Sequence, residues 1–566
     1  MDDKLPRKLL AMNERQTPEL DDDYYIANFH TIASHVADHY QDLLTHTEKS
    51  WLDVISRVSI PAQCLYIRLL NRRGSTFRLN RLHYAEIPCI GHAADELIQR
   101  ALGHDKAPVD WPVLLSCFTK PELLDVLELR SLRHLSRVDL ISHVTHSAPE
   151  LQIRFKGRLQ AADRWITLEG HHHWMLMQLC FFGNLYQDSS VLVLQQLGAS
   201  NYEDYPLDVS SRAFTSREQI DAHWRYFEAE ALFDCINPSD AGKLIKLVNS
   251  LPDACTNDVN LQRRLDRIRN RIARQLERLS LLDEAKVLYE QSIHPPARER
   301  RVRIMMTRLE WQDALLVARQ MHDKPYNEAE RLTGYKLLCK CQQALGIKYK
   351  KHRIFKPATT RLVLRDNAVR VEESARRYYA DKGACFYTEN TLINAVFGLF
   401  IWDIIFHPVP AAFFNPYQAA PADFYEPEFL ARRTELFKAR FEELDDQTHL
   451  GARVLKAYQL HQGKQNPLVR WQGLSAQMLA LAIDRIPQSH WRSLFERILV
   501  DMRENTKGFP DLILFPQEGG YEFIEIKGPG DTLQANQRRW MHYFDQHGIA
   551  CRLVHVRYRR DEPTST

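Results

Sequence analysis

Apolar residues recur at spacings of three and four through most of residues 24–350, and alternating runs are few, so the pattern predicts a succession of amphipathic helices. Toward the end the period changes. Residues 511–527 and 549–558 carry short runs rich in Ile, Val, Phe and Tyr, next to Gly and Pro, which predict strands. The fold class expected is multi-domain: mainly α-helical modules followed by a C-terminal α/β domain. At 566 residues the chain is too long for one core, and three or four domains fit its length.

Local signals divide the helical part. Thr119-x-x-Glu122 is a capping box opening KPELLDVLE, and Ser136 precedes RVDLISHV, which together predict a helix-turn-helix pair. That pair resembles a SAP module, a small binder of the DNA backbone, although the glycine usual in the SAP turn is missing and an ordinary helical hairpin fits as well. Farther on, LLDEAKVLYEQS and LEWQDALLVARQ align as degenerate repeats with Ala285 and Ala314 at matching small positions. Their offset of 29 residues, against about 34 for a TPR unit, predicts an irregular TPR-like stack. The segment 407–427, rich in Pro and aromatics, reads as an ordered irregular insertion. The expected division is a helical N-terminal region at 1–105, the SAP-like pair at 106–160, a connecting region at 161–215, the TPR-like repeats at 216–355 and the α/β domain with its preceding helices at 356–566.

Charge changes the picture locally. The net charge of +3 conceals clusters. Between 261 and 278, Leu261, Leu265, Ile268, Ile272 and Leu276 form one stripe, while Arg264, Arg267, Arg271, Arg274 and Arg278 form another. Such a rail repels itself, and phosphates would relieve it through the bidentate fork of arginine. Arg68, Arg72, Arg73, Arg78 and Arg81 make a second cluster, and KYKKHR, with Lys350 and Lys351, a third. Each alone reads equally as a solvated basic face; three together point to contact with a nucleic-acid backbone. The ten cysteines are scattered without a zinc-knuckle spacing, which fits a reduced, cytoplasmic protein. The start has no signal-peptide core, and no run approaches the about 18 apolar residues of a membrane span. The GHHHW run at 170–174 lacks an acidic or cysteine partner at ligand spacing.

The strongest chemical signal is GFPDLILFPQEGGYEFIEIKGPGDTLQANQRRW, residues 508–540. DLILF and YEFIEIK flank PQEGG, which marks a hairpin. If Phe515 pairs with Tyr521, Asp511 lies opposite Glu525, and Lys527 shares their face; a slip by one residue would separate them. Two carboxylates about 5 Å apart repel by about 3 kcal/mol at an effective dielectric near 20. A hard divalent cation, Mg2+ or Mn2+, resolves that repulsion, with the carbonyl of Ile526 as a further ligand. Lys527 can hold or deprotonate the water that attacks phosphorus. The set suits phosphodiester cleavage, whose barrier calls for rate enhancements toward about 10¹⁷. Beyond the hairpin, Asp531 and Gln534 are expected to cap a helix on which Leu533, Gln537, Trp540 and Phe544 share a face, turning the Gln537 amide toward the charged groups.

These residues resemble a VRR-NUC nuclease domain of the PD-(D/E)xK, restriction-endonuclease-like superfamily, and GPGDTLQANQRRW is similar to that family's helix motif. TENTLINAVFGLFIWDIIF, residues 388–406, and LYIRLLNRRGSTFRLNRLHYAEI, residues 65–87, resemble segments of the Fanconi-associated nucleases. The resemblance implies a metal-dependent, structure-selective DNA nuclease. Its expected actions are cutting 5′ flaps, degrading 5′ to 3′ and serving interstrand-crosslink repair, with branched or flapped DNA as partner and no small-molecule cofactor beyond metal. Asp511, Glu525 and Lys527 would be the core of the site, with Glu389 supplied by the helix before the sheet. The residues agree: with Thr388 as cap, Glu389 would share a helical face with Ile393, Val396 and Phe400 and serve a second ion. Thr532 stands where many relatives have arginine, which puts a phosphate contact there in doubt. Without a Cys/His set for the zinc finger of vertebrate members, the chain looks like the shorter bacterial type. A junction resolvase of the same superfamily and a non-catalytic DNA scaffold are the alternatives.

Overall fold

The computed structural model describes residues 20, 23–253, 258–348, 355–365, 369–445 and 447–559. Lys350 and Lys351 lie outside them. The chain divides into two units, one of residues up to 200 with 214–220, the other of 201–213 with everything from 221 onward.

In the first unit, the helix Ile60–Leu70 is apolar nearly all round and is correspondingly buried on most sides. Its Tyr66 hydroxyl takes the Trp51 indole N–H at 2.8 Å and donates to the Glu169 carbonyl at 2.6 Å. The capping box forms: Glu122 accepts the Thr119 amide at 2.8 Å and opens α1 (Lys120–Val126). Ser136 accepts the Asp139 amide at 3.2 Å and opens α2 (Arg137–Thr145). The pair does not stand alone. Leu123 and Leu140 share a core with Leu114, Phe155 and Leu159 from the helices on either side. A small antiparallel sheet, β1 (Thr76–Arg78), β2 (Gly103–His104) and β3 (Trp165–Leu168), ordered β1-β3-β2, corrects the purely helical expectation; strands of two to four residues are too short to show a period.

In the second unit, α3 (Val259–Arg278), α4 (Leu282–Glu290), α5 (Ala297–Thr307), α6 (Trp311–Asp323) and α7 (Glu328–Ala344) pack as successive hairpins. Ala285 and Ala314 are fully buried, as their matched spacing requires. The turns repeat too. Ser280 and Leu309 both adopt left-handed φ, +64° and +61°, and each is bridged by the same bond, Leu281 N–H to Leu276 O and Glu310 N–H to Met305 O, the pattern that closes a helix C-terminus.

The C-terminal sheet has five strands: β4 (Thr359–Arg365), β5 (Gly383–Tyr387), β6 (Leu512–Pro516), β7 (Glu522–Lys527) and β8 (Cys551–Arg559), ordered β4-β8-β7-β6-β5. The expected order of strand, strand, helix, strand holds for β6, β7, the helix α10 (Ala535–Gln546) and β8. β4 and β5, at the two edges, have no counterpart in the expected pattern; β4 exposes most of its side chains and so lacks an apolar face to read. Period two sorts the strands. Leu512, Leu514, Ile524, Ile526, Val554 and Val556 pack with Ala375 and Tyr379 of α8 (Val371–Ala380). On the opposite face Ile513, Phe515 and Phe523 join α9 (Leu392–Phe400) and Trp540 and Phe544 of α10. The segment 407–427 is irregular and buries Val409, Ala412, Phe413 and Phe424.

Close approach in the repeats yields a test. A Cβ added at Gly334 of α7 would lie 2.7 Å from Met321 Cβ and 3.0 Å from the His322 amide. Helix propensity alone makes Gly334→Ala stabilising by about 1 kcal/mol, but overpacking costs about 1–3 kcal/mol. The clash is with backbone and a Cβ, which cannot swing away, so the variant is expected to melt lower than the parent in a thermal scan.

Candidate active site

The hairpin register is the one that brings the charges together. Leu512 pairs with Ile524, Ile513 with Phe523 and Leu514 with Glu522; one step further, Asp511 faces Glu525. Gly519 and Gly520, at φ of +110° and +73°, make the turn. Asp511, Glu525 and Lys527 are all buried. Asp511 Oδ2 accepts the Ile526 amide at 2.9 Å. Lys527 Nζ forms a contact ion pair with Glu525 Oε1 at 2.8 Å; neither Glu525 oxygen has another partner among the described residues.

Burial pushes the Asp511 carboxyl above its ordinary range, against the Ile526 amide that stabilises the anion, and the charge of Glu389 adds to the rise. Glu525 is pushed up as well, by burial first and by Asp511 second, with Lys527 opposing. Two sequestered carboxylates, the Glu525 oxygens without a partner beyond Lys527 among the described residues, fit a hard cation, and the residues that would hold it are Asp511, Glu525 and the Ile526 carbonyl. Among the described residues no three His, Cys, Asp or Glu side chains close as a ligand group, so Glu389 stands beside the pair.

Glu389 itself is corrected in position. It lies in a turn after β5, and α9 starts only at Leu392 with Thr391 as its cap residue. Asn390, at φ +52°, breaks the backbone between them, so the shared face with Ile393, Val396 and Phe400 does not exist. The Tyr387 hydroxyl donates to Glu389 Oε2 at 2.5 Å. Asp531 is corrected too: its carboxylate accepts the Gly528 amide at 2.9 Å, and the cap of α10 is Gln534, whose amide donates to Gln537 Oε1 at 3.0 Å. Leu533 precedes the helix. Gln537 is buried as expected, but its oxygen serves the cap.

The α3 arginines are not a bare rail. Arg264 donates to His223 Nδ1 at 2.7 Å and covers the Phe227 ring. Arg267 pairs with Glu426, Arg271 with Glu230 and Asp234, and Arg274 with Glu277; Arg278 bonds Gln275 Oε1 at 3.4 Å. Their mutual repulsion is thus relieved in part by carboxylates of the fold itself. In the first unit Arg68 pairs with Glu86 and stacks on Tyr25 and Tyr84, and Arg78 is held by Glu122 and Asp163. Arg72 and Arg73 are exposed, and Arg72, Arg81, Lys120 and Arg137 line a cavity of about 530 Å³.

Comparison with known proteins decides the family. Residues 446–558 match the VRR-NUC domain and residues 23–102 the FAN1, HTH domain. The Fanconi-associated nuclease 1 homolog of Pseudomonas aeruginosa is 32% identical over 550 residues, covering 95% of this chain and 96% of the relative. The chain belongs to the Fanconi-associated nuclease 1 family. The rice homolog is 24% identical across 95% of the chain, which spans 63% of that relative's length. A crystal structure of paFAN1 bound to 2nt 5′flap DNA with gap superposes with a TM-score of 0.83 at 30% identity, covering 96% of this chain and 100% of that one.

This Fanconi-associated nuclease also places residues at the site that no periodicity marks. Glu372, in the first turn of α8, lies close enough to raise Asp511 further, and Tyr387 and Asn390 flank Glu389. Glu372 carried one available signal, the acidic pair Glu372-Glu373, of the kind that opens helices.

The raised carboxyls set a pH dependence. The folded nuclease holds these two protons more tightly than the unfolded chain does. The stability they contribute is therefore full below about pH 4, where unfolded carboxylates titrate, and is lost as pH rises through neutrality. Asp511→Asn keeps an oxygen for the Ile526 amide and removes one charge. In EDTA at pH 8 the variant is expected to melt above the parent, by about 2–4 °C per kcal/mol relieved, with the gap closing at pH 4. A parent that melts higher at pH 8 rejects burial as the dominant effect.

Proposed function

We propose that the protein is a metal-dependent, structure-selective DNA nuclease that cuts 5′ flaps, degrades 5′ to 3′ and acts in interstrand-crosslink repair. The observation that carries this is the buried Asp511–Glu525 pair with Lys527 against it, in a family member similar along its length to paFAN1, whose structure holds 5′ flap DNA. A divalent cation at the pair, Mg2+ or Mn2+, would supply Lewis-acid polarisation of the scissile phosphate. Asp511, Glu525 and the Ile526 carbonyl would hold it, and Glu389 would serve a second ion. Lys527, an ammonium paired with Glu525, would position the attacking water by donating a hydrogen bond to its oxygen, and the Gln537 amide nitrogen would be the polar group that α10 adds to the site.

Arg72 and Arg73 are assigned to the DNA backbone, because both residues are exposed, with Arg68 and Arg72 sharing the Tyr84 ring. Lys350 and Lys351 belong to the same set. Arg264, Arg267, Arg271, Arg274 and Arg278 contribute to the field that attracts DNA, tempered by their carboxylate partners. The five regions expected from the sequence, with boundaries at 105, 160, 215 and 355, describe the division of labour. The protein acts in the cytoplasm; among the described residues no helix is long and apolar enough to cross a membrane.

The test uses labelled 5′ flaps, 3′ flaps and four-way junctions with Mn2+, Mg2+ or EDTA. Metal-dependent products from 5′ flaps are expected, falling by about 10³-fold or more in Asp511→Ala. Paired nicks in junctions would make the enzyme a resolvase, and binding without products a scaffold. Asp511→Ala cutting at the parental rate would remove the site. Binding supplies a separate check. Replacing Arg72 and Arg73 with Ala should weaken duplex affinity across sequences and lower the slope of log affinity against log salt by about 1 per lost phosphate contact.

A further inference from the structure

Glu389 reaches the site from a half-buried turn, and a turn does not by itself hold a carboxylate in place. Asn390 provides the restraint. Its φ of +52° is a conformation that asparagine tolerates better than most residues. Its side-chain oxygen accepts two consecutive backbone donors, Gly508 N–H at 2.8 Å and Phe509 N–H at 3.1 Å. Those residues run directly into Pro510 and Asp511.

The rest of the turn is tied to the same stretch. Thr388 N–H donates to the Asp511 carbonyl at 2.8 Å. Asn394 Nδ2 donates both to the Asn390 carbonyl and to the Thr506 carbonyl, each at 2.8 Å. Thr391 Oγ1 closes onto the Glu389 carbonyl at 3.1 Å. The segment that carries Asp511 and the turn that carries Glu389 are thus laced together, and the double acceptor at Asn390 is the one side chain that receives from the Asp511 segment.

We propose that Asn390 is a positioning residue of the nuclease site: its side-chain oxygen clamps the Glu389 turn to the Gly508–Asp511 segment and so sets the spacing between the two carboxylates. This rests on the assignment of Glu389 and Asp511 as site acids. A misplacement of about 1 Å in such a constellation costs on the order of 10²-fold in rate, which a two-bond clamp can prevent and a bare left-handed turn cannot.

Substitutions separate the clamp from the backbone shape. Asn390→Gly keeps φ > 0 free of strain and deletes the acceptor; Asn390→Asp keeps an oxygen for both amides. Steady-state cleavage of a 5′ flap, Mn2+ binding followed by the EPR signal of free Mn2+ without DNA, and thermal melting are measured for both, with Glu389→Gln alongside. For Asn390→Gly the expected result is kcat lower by about 10- to 100-fold, KM within about twofold, weaker Mn2+ binding and a melting temperature lower by a few degrees, since two buried amides lose their acceptor. Asn390→Asp keeps the acceptor but replaces the Nδ2 that donates to Glu389 Oε1 at 3.4 Å with a carboxylate oxygen, so it should recover the melting temperature and only part of the kcat loss. If Asn390→Gly matches the parent in kcat and Mn2+ binding while Glu389→Gln is inactive, the clamp is refuted and the role of Glu389 stands. A variant that loses only melting temperature makes Asn390 a stabilising residue and also overturns the proposal. If Glu389→Gln cuts and binds Mn2+ like the parent, the assignment of Glu389 fails and the proposal falls with it.

Discussion

Two carboxylates held side by side out of water are the constraint on which the nuclease domain is organised. At about 5 Å and an effective dielectric near 20 their repulsion is about 3 kcal/mol, before the desolvation of each is counted. The ion pair from Lys527 and the single amide of Ile526 offset part of it. The remainder is carried by the sheet, which cannot let the charges part without slipping its register. A slip by one would turn Leu512, Leu514, Ile524 and Ile526 from the core under α8 to the opposite face, and Ile513, Phe515 and Phe523 the other way. Apolar packing on both faces thus holds in place an electrostatic arrangement that would not form by itself.

That register was legible in the sequence because three local signals agreed: a five-residue turn with two glycines, a two-residue period on both flanks and charges at matching ends. The repeat spacing was legible for a similar reason, since Ala285 and Ala314 mark helices whose preceding turns, at Ser280 and Leu309, have the same backbone shape. The position of Glu389 was not. The run Leu392–Phe400 is so apolar that extending its helix back to Thr388 is the natural extrapolation, and only the left-handed Asn390, satisfied by partners 118 and 119 residues away, stops it. β4 and β5 escaped because edge strands need only one paired side, and β4 has no continuous apolar face.

Charge clusters were visible and their partners were not. A helix shows its own arginines at fixed spacing, but the carboxylates that neutralise them come from other elements: Glu230 and Asp234 for Arg271, Glu426 for Arg267. Three of the five α3 arginines, Arg267, Arg271 and Arg274, hold carboxylates, and Arg264 holds His223, so part of what looked like a surface for phosphate is adhesion within the fold. Such pairs add little each when exposed. The effect on function is larger than the effect on stability, because a guanidinium that already holds a carboxylate in its fork offers less to a phosphate than the exposed Arg72 and Arg73 do.

The Asp511 segment joins these strands of reasoning, for it is irregular backbone and yet has no slack. Gly508 sits at φ +90°, and a Cβ there would fall 2.9 Å from the Asn536 carbonyl carbon, so only glycine lets the first turn of α10 approach so closely. On the far side of that turn the Trp540 indole donates to the Lys507 carbonyl at 3.1 Å and its ring lies 4.2 Å from that of Phe509. α10 therefore grips the segment just ahead of Asp511 while the Glu389 turn grips it from the other side. Because Gln537 caps the same helix, the orientation of its amide and the position of Asp511 depend on one docking contact. The functional geometry of this domain is thus set by two constraints together, the strand register that pairs Asp511 with Glu525 and the close approach of α10 to a single glycine just ahead of Asp511.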